Sequence, residues 1–150
     1  MMAERRNEAI WQDFFEAYNR RDVDAIMKLC ADDCVAIYPD LTRYSKNEWR
    51  SMFGKEFQAF PDAQVRNVSV ISQGDRVAIE FDWTATQQQT YAQGELEWST
   101  VGVTFDIPCV FIADMKDGCL KLVKYYWNRR LIEQQSQRAA TQGWQAAASP

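Results

Sequence analysis

Large apolar residues alternate with polar or small ones over residues 76–83, and this is the clearest pattern in the chain. A period of two is typical of a half-buried β-strand, whose covered face takes every second side chain. Here that face would carry Val77, Ile79, Phe81 and Trp83. Because two of these side chains are large aromatics, the strand must line either a thick core or a cavity. What would fill such a cavity is the functional question that the sequence raises.

The rest of the pattern predicts helices first and strands afterwards. Apolar residues recur at helical spacing over 4–20, over 22–30, and again after the capping box Ser45-Lys46-Asn47-Glu48, with Trp49, Phe53 and Phe57 on the inner face. Strands are predicted at 34–38, 64–72, 76–86, 94–104, 105–113 and 119–128, and a closing helix at 129–140. This order indicates an α+β fold in which a strongly curved, antiparallel or mixed sheet packs against three N-terminal helices. We expect one domain over 1–130, followed over 131–150 by a C-terminal helix and a partly flexible, frayed tail.

Composition and charge narrow the classes of function. A net charge of -4 and a pI near 4.9 argue against nucleic acid as a partner, which needs a basic surface. The charged N-terminus and the lack of a long apolar run predict neither a signal peptide nor a membrane span, so we expect a cytoplasmic protein. The chain has no histidine, and its four cysteines lack the paired spacing of a metal site. We therefore expect free thiols and no metal or cofactor, with proton transfer left to Asp, Glu, Tyr, Lys, Cys or water.

Five phrases between residues 8 and 128 carry a family resemblance. They are Phe15-Glu16-Ala17-Tyr18-Asn19-Arg20-Arg21-Asp22-Val23-Asp24-Ala25, Ala31-Asp32-Asp33-Cys34-Val35, Ala59-Phe60-Pro61-Asp62, Gly74-Asp75-Arg76-Val77-Ala78, and Asp117-Gly118 leading to Tyr125-Tyr126-Trp127-Asn128. In this order they resemble the SnoaL-like polyketide cyclases of the nuclear transport factor 2-like superfamily, relatives of ketosteroid isomerases and limonene epoxide hydrolases. The resemblance implies a cone-shaped domain with an apolar pocket between sheet and helices, and a homodimer formed through the outer sheet face. The resemblance is weak evidence for any particular reaction, since the superfamily holds enzymes of several kinds and non-catalytic binders.

The positions at which these relatives keep catalytic groups are all aromatic in this chain, namely Phe14, Tyr38, Phe81, Trp83, Phe111 and Tyr125. By resemblance, the tyrosine and aspartate of ketosteroid isomerases fall at Phe14 and Tyr38. The arginine and first aspartate of the hydrolases fall at Phe81 and Trp83, and their second aspartate falls at Tyr125. The cyclase acid falls near Phe111. None of the three mechanisms transfers intact, and the shared outcome suggests a pocket with aromatic walls.

The candidate catalytic residues are Asp40, Tyr38 and Tyr125. A neutral phenol can donate a hydrogen bond to a carbonyl oxygen and stabilise an enolate, although either tyrosine could simply pack its ring. Asp40 would lie at the pocket mouth, where partial desolvation would raise its pKa and make it a base; otherwise it is a surface turn residue. The candidate substrate contacts are Phe14, Tyr18, Trp49, Phe53, Phe81, Trp83, Phe111 and Trp127.

Two hypotheses for function follow. The first is a cofactor-free cyclase, isomerase or dehydratase acting on a polyketide- or terpenoid-like carbonyl compound. The second is a non-catalytic module that binds an apolar ligand or dimerises. In both, the expected partner is a small apolar or polycyclic molecule.

Overall fold

Four helices and eight strands make up the computed structural model of the protein, which describes residues 2–94 and 96–148, with side chains to residue 141. The helices are α1 (Met2–Asn19), α2 (Val23–Lys28), α3 (Lys46–Ala59) and α4 (Arg129–Ala148). The strands are β1 (Cys30–Ile37), β2 (Arg43–Ser45), β3 (Gln64–Gln73), β4 (Arg76–Thr86), β5 (Tyr91–Gln93), β6 (Leu96–Trp98), β7 (Thr104–Lys116) and β8 (Cys119–Trp127). No helix in the described ranges is long and apolar enough to cross a membrane.

The predicted capping box fixes the start of α3. The Ser45 hydroxyl accepts a hydrogen bond from the Glu48 backbone N–H at 3.3 Å, and the Glu48 carboxylate accepts one from the Ser45 N–H at 3.2 Å. These two bonds satisfy backbone donors that a helix start leaves without partners. The local sequence thereby sets which residues of α3 face inward.

Six strands form one curved sheet in the order β2-β1-β8-β7-β4-β3. β1 runs parallel to β8 and the other pairs are antiparallel, which confirms the predicted α+β fold with its mixed sheet. The register of the β3–β4 pair shifts at a β-bulge, where Asn67 adopts a positive φ of 56°. Bulges of this kind bend a sheet, and the inner face of the bend receives the helices.

The prediction of one strand over 94–104 is wrong. Instead, β5 and β6 pair with each other as a separate two-stranded hairpin. Gly94 and Gly102 both have positive φ, 60° and 90°, which no continuous strand tolerates. The closing helix also runs further than predicted, to Ala148. The predicted tail therefore begins inside this helix, and the last two residues of the tail, 149–150, lie outside the described residues.

The core lies between the inner face of the sheet and α1–α3. The alternation in β4 is confirmed, since Val77, Ile79, Phe81 and Trp83 are all buried. The largest fully buried side chains of the core include Trp11, Phe14, Trp49, Phe60 and Phe105. Aromatic rings therefore dominate the interior, as the sequence indicated.

Candidate active site

A cavity opens inside the aromatic interior. The space available in it to the centres of water molecules is about 60 Å³, enough for a few waters. The helices and the segment after them contribute Phe14, Tyr18, Phe53, Glu56, Phe60 and Val65; the large sheet contributes Phe81, Trp83, Ile107, Cys109, Phe111, Tyr125 and Trp127; and the β5–β6 hairpin contributes Tyr91, Gln93 and Trp98. Apart from Glu56, these side chains are neutral or carry a thiol, so the wall is mostly apolar.

Most of the predicted contacts line this cavity. They are Phe14, Tyr18, Phe53, Phe81, Trp83, Phe111 and Trp127, together with the candidate catalytic Tyr125. Trp49 lies one layer behind the wall, fully buried, and its Nε1 donates a hydrogen bond to the Tyr125 hydroxyl at 2.9 Å. The structure thus brings the predicted aromatic set together, while its role toward a substrate stays a prediction.

Tyr38 and Asp40 are not among the described residues that line the cavity. The Tyr38 ring stacks behind Tyr125, with ring centroids 4.2 Å apart. Asp40 follows β1 in a turn, where its Oδ1 accepts a hydrogen bond from the Thr42 backbone N–H at 3.0 Å. Their catalytic roles stay predictions, and the structure offers a different carboxylate inside the cavity.

That carboxylate is Glu56, on the inner face of α3. The residue as a whole is only half-buried, but its carboxylate lies among aromatic rings that strip away its hydration. Desolvation raises the pKa of Glu56 from its ordinary 4.5 to about 7, against a smaller lowering by the hydrogen bond from Tyr18. A carboxyl group with a pKa near neutrality can both accept and return a proton at physiological pH.

Sequence reasoning missed Glu56, although its spacing gave a signal. It lies seven residues after Trp49 and three after Phe53, which places it on the same helical face as both. The sequence analysis put Phe57 on that face, and Phe57 is half-buried like Glu56, with its ring 5.0 Å from the Tyr18 ring. A charged residue at an inward helical position is a pointer to chemistry, because an isolated buried charge is costly.

A short relay of hydrogen bonds holds the Glu56 carboxylate. The Trp83 Nε1 donates to the Tyr18 hydroxyl at 2.7 Å, and that hydroxyl donates to Glu56 Oε2 at 2.5 Å. Burial, and then the nearby Glu56 charge, raise the pKa of Tyr18 well above its ordinary value, so the phenol keeps its proton as a donor. The other oxygen, Oε1, has no hydrogen-bond partner among the described residues. One oxygen is therefore anchored and the other is available to a ligand.

Other chemistry in the cavity is limited. Burial raises the pKa of the Cys109 thiol, so this side chain is a protonated, weak nucleophile at neutral pH. Within residues 2–94 and 96–148, no group of three or more Cys, Asp or Glu side chains is placed to hold a metal ion. Glu56 is thus the group in the wall best suited to proton transfer.

Fold and site together define the class of protein. The sequence model of the SnoaL-like domain matches residues 11–125, which is most of the chain. The chain belongs to this family, as its resemblance implied. A comparison with curated proteins found no match.

Solved structures of similar fold cover nearly all of the chain. A proposed polyketide cyclase from Xanthomonas campestris pv. campestris superposes with a TM-score of 0.79 at 23% identity, over 89% of this chain and 98% of that one. AclR, a proposed hydroxylase from Streptomyces galilaeus, gives 0.73 at 24% identity, over 88% and 85% of the two chains. IdmH, a proposed polyketide cyclase from Streptomyces antibioticus, gives 0.71 at 19% identity, over 86% and 96%. At these identities the likeness is evidence of the fold alone.

Proposed function

We propose that the protein is an enzyme that abstracts and returns a proton next to a carbonyl group of an apolar, ring-containing substrate, as in a cyclase, isomerase or dehydratase of polyketide- or terpenoid-like compounds. The observation that carries the proposal is Glu56, a carboxyl group with a pKa of about 7 in an aromatic-walled cavity. The descriptions of two structural neighbours as proposed polyketide cyclases support the same substrate class.

The chemistry is enolisation. Glu56 Oε1 takes the proton from the carbon beside the carbonyl, and the electron pair of the broken C–H bond moves to form an enolate. Tyr125 is the proposed donor to the developing oxyanion, and Trp49 holds its hydroxyl from behind. The enolate carbon then either attacks a second carbonyl, whose developing alkoxide takes the proton from Glu56, or recovers that proton from Glu56 itself. Either outcome re-forms the first carbonyl group and restores the carboxylate for the next cycle.

Access to the cavity is explained by two side chains. Tyr125 and Trp127 are half-buried, and each lines both the cavity and an open groove on the protein surface. Since about 60 Å³ is too small for a ring compound, these two side chains must move for a substrate to enter. Their displacement would join the cavity to the groove.

Deuterium exchange tests the proposal without knowledge of the natural substrate. 1-Tetralone is a bicyclic ketone with exchangeable protons beside its carbonyl, and NMR in D₂O reports their loss. We expect the wild type to accelerate exchange over buffer and Glu56→Gln to lose at least about a hundredfold of that acceleration. Glu16→Gln, an exposed change on α1, is the matched control and should keep the wild-type rate. A folded Glu56→Gln protein with unchanged exchange would refute the role of Glu56.

A second function is favoured by one observation. Both hydrogen bonds of the Glu56–Tyr18–Trp83 relay form without a ligand, which also suits a binding module whose buried acid is structural. Binding of 1-tetralone by the wild type with no exchange above buffer would support that function instead.

A further inference from the structure

Two cysteines in the first half of β1 have their thiols side by side. Cys30 and Cys34 are four residues apart, a separation that would span about 13 Å in a regular strand. In this protein the Cys30 thiol has two hydrogen-bond acceptors in reach, the Cys34 sulfur and, at 3.4 Å, the Ile26 backbone carbonyl. Both cysteines are buried and neither lines the cavity, so the pair is separate from the candidate active site.

A β-bulge explains how the two thiols meet. Cys30 is opposite Leu120 of β8. Val35 is opposite Leu122, so five steps along β1 match only two steps along β8, and the chain between must fold outward. Two steps of a strand span about 7 Å, close to the largest Cα separation that a disulfide bridges, and Cys34 lies one residue before that far point.

The surroundings favour Cys34 as the nucleophile of the pair. The hydrogen bond from Cys30 lowers the pKa of Cys34 and raises that of Cys30 itself. Burial and the Asp33 charge oppose this lowering, whereas the positive charges of Lys46 and Lys121 add to it. Lys46 is held at this place because its Nζ donates a hydrogen bond to the Cys30 carbonyl at 3.0 Å. The thiolate is the form of cysteine that reacts with oxidants, so Cys34 should react first.

The bulge also gives a small oxidant a way in. In the described strand pairs, residues 31–34 have no partner opposite them. The ion pairs from Asp32 to Lys46 and from Asp33 to Lys121 involve exposed carboxylates, and such pairs contribute little to stability. Local opening of the bulge would therefore uncover the Cys34 sulfur while the paired part of β1 stays in place.

We propose that Cys30 and Cys34 are a redox modification site, which hydrogen peroxide converts into a disulfide. The Cys34 thiolate attacks one peroxide oxygen and becomes a sulfenic acid, while the O–O bond breaks and the other oxygen leaves as hydroxide, which gains a proton to become water. The Cys30 sulfur then loses its proton and attacks the Cys34 sulfur, and the S–O bond breaks to release a second water. Two thiols are thus oxidised as one peroxide is reduced, and two molecules of a small thiol such as glutathione reverse the change by exchange.

Peptide mapping tests the modification. Trypsin cleaves after Lys28 and Arg43, so the peptide 29–43 holds both cysteines and excludes Cys109 and Cys119. The native full-length protein is treated with hydrogen peroxide, and its remaining thiols are alkylated after denaturation. We expect peptide 29–43 to be lighter by two hydrogen atoms and to carry no alkyl group. Reduction before alkylation should restore two alkylation sites.

Variants test the role of each thiol. Cys34→Ser should slow peroxide oxidation of peptide 29–43 by at least about tenfold, because the remaining Cys30 thiol is protonated. Cys30→Ser should leave Cys34 as a sulfenic acid that dimedone traps, since the resolving thiol is gone. Cys119→Ser, at a half-buried thiol on the neighbouring strand, is the matched control and should leave the disulfide unchanged.

The wild-type protein alone can refute the site. Two alkylated thiols in peptide 29–43 after peroxide treatment would overturn the proposal, and so would a disulfide from either cysteine to Cys119. Oxidation of Cys30 at the wild-type rate in Cys34→Ser would overturn the assignment of Cys34 as the nucleophile.

Discussion

The interior of this protein has two aromatic regions that differ in how they are filled. In the closed end, Trp11 and Phe15 pack against Phe14 and Phe111 with ring centroids 4.8 to 6.0 Å apart, and neither Trp11 nor Phe15 borders the cavity. In the cavity end, rings of the same type enclose empty space beside the Glu56 carboxylate.

The difference lies in the empty space and in one carboxyl group rather than in the rings. Both ends would look like core in a list of buried aromatics, and dispersion favours filling both. Unpaired donors do not separate the two ends, because Trp11 Nε1 in the closed end also lacks a hydrogen-bond partner. The cavity end is distinguished by Glu56, whose carboxyl group prefers water or a ligand and lies against apolar walls beside empty space.

The largest expected effect is a difference between the two ends in how much stability is lost when an aromatic ring is removed. Phe15→Ala in the closed end should lower the free energy of unfolding by about 3–5 kcal/mol, because it leaves a cavity among close-packed rings. Phe53→Ala in the cavity wall should lower the free energy of unfolding by less than Phe15→Ala does, with a difference of about 1 kcal/mol or more. The reason is that part of the Phe53 ring already faces empty space. Both residues are buried and lie in helices, so the two Phe→Ala changes alter helix propensity by the same amount. Urea unfolding measures the free energy of unfolding of both variants. Equal losses would contradict the distinction between a filled end and an end with a cavity.

The second prediction concerns the pH dependence of stability at the cavity end. Because the folded-state pKa of Glu56 is raised from 4.5 to about 7, the folded state holds a proton that the unfolded state has released within this range. The contribution of Glu56 is thus most favourable below about pH 4.5 and falls as pH rises to about 7, by about 3 kcal/mol in all. Glu56→Gln should lack this decline and be the more stable protein at alkaline pH.

Urea unfolding across that range, with Glu16→Gln as the control, measures the difference. Parallel stability curves for wild type and Glu56→Gln would mean that the carboxylate is hydrated and that the cavity end is not the apolar environment described above.

The smallest effect sharpens the role of the relay. The hydrogen bond from Tyr18 lowers the pKa of Glu56, so Tyr18→Phe should move the midpoint of the pH–exchange profile upward by about one pH unit. The maximal rate on the alkaline side should change little, because the base itself remains. Glu16→Gln serves as the control, and an unmoved midpoint in Tyr18→Phe would show that the relay does not tune the acid.

Much of the fold could be predicted because its signals are local. The capping box at Ser45 and the alternation in β4 depend on neighbouring residues, and both are confirmed. The 94–104 segment failed because Gly94 and Gly102 turn the chain, and a window read for alternation alone gives too little weight to glycine. The site was predicted in part: the aromatic walls were identified, while the cavity acid Glu56 was missed because the inner face of α3 was assigned from its aromatic residues alone.

The sequence by itself determined that helices precede the strands, which faces of α3 and β4 are apolar, and the family to which the chain belongs. Only the tertiary structure decided that Tyr18, which accepts a hydrogen bond from Trp83, donates one to Glu56, and that this carboxylate borders a cavity lined in part by the β5–β6 hairpin. Periodicity and capping act within a few residues, whereas these encounters join α1, α3, β4 and a hairpin that lie far apart in the chain. Desolvation of a carboxylate is a property of that assembled environment, and no segment of the sequence carries it alone.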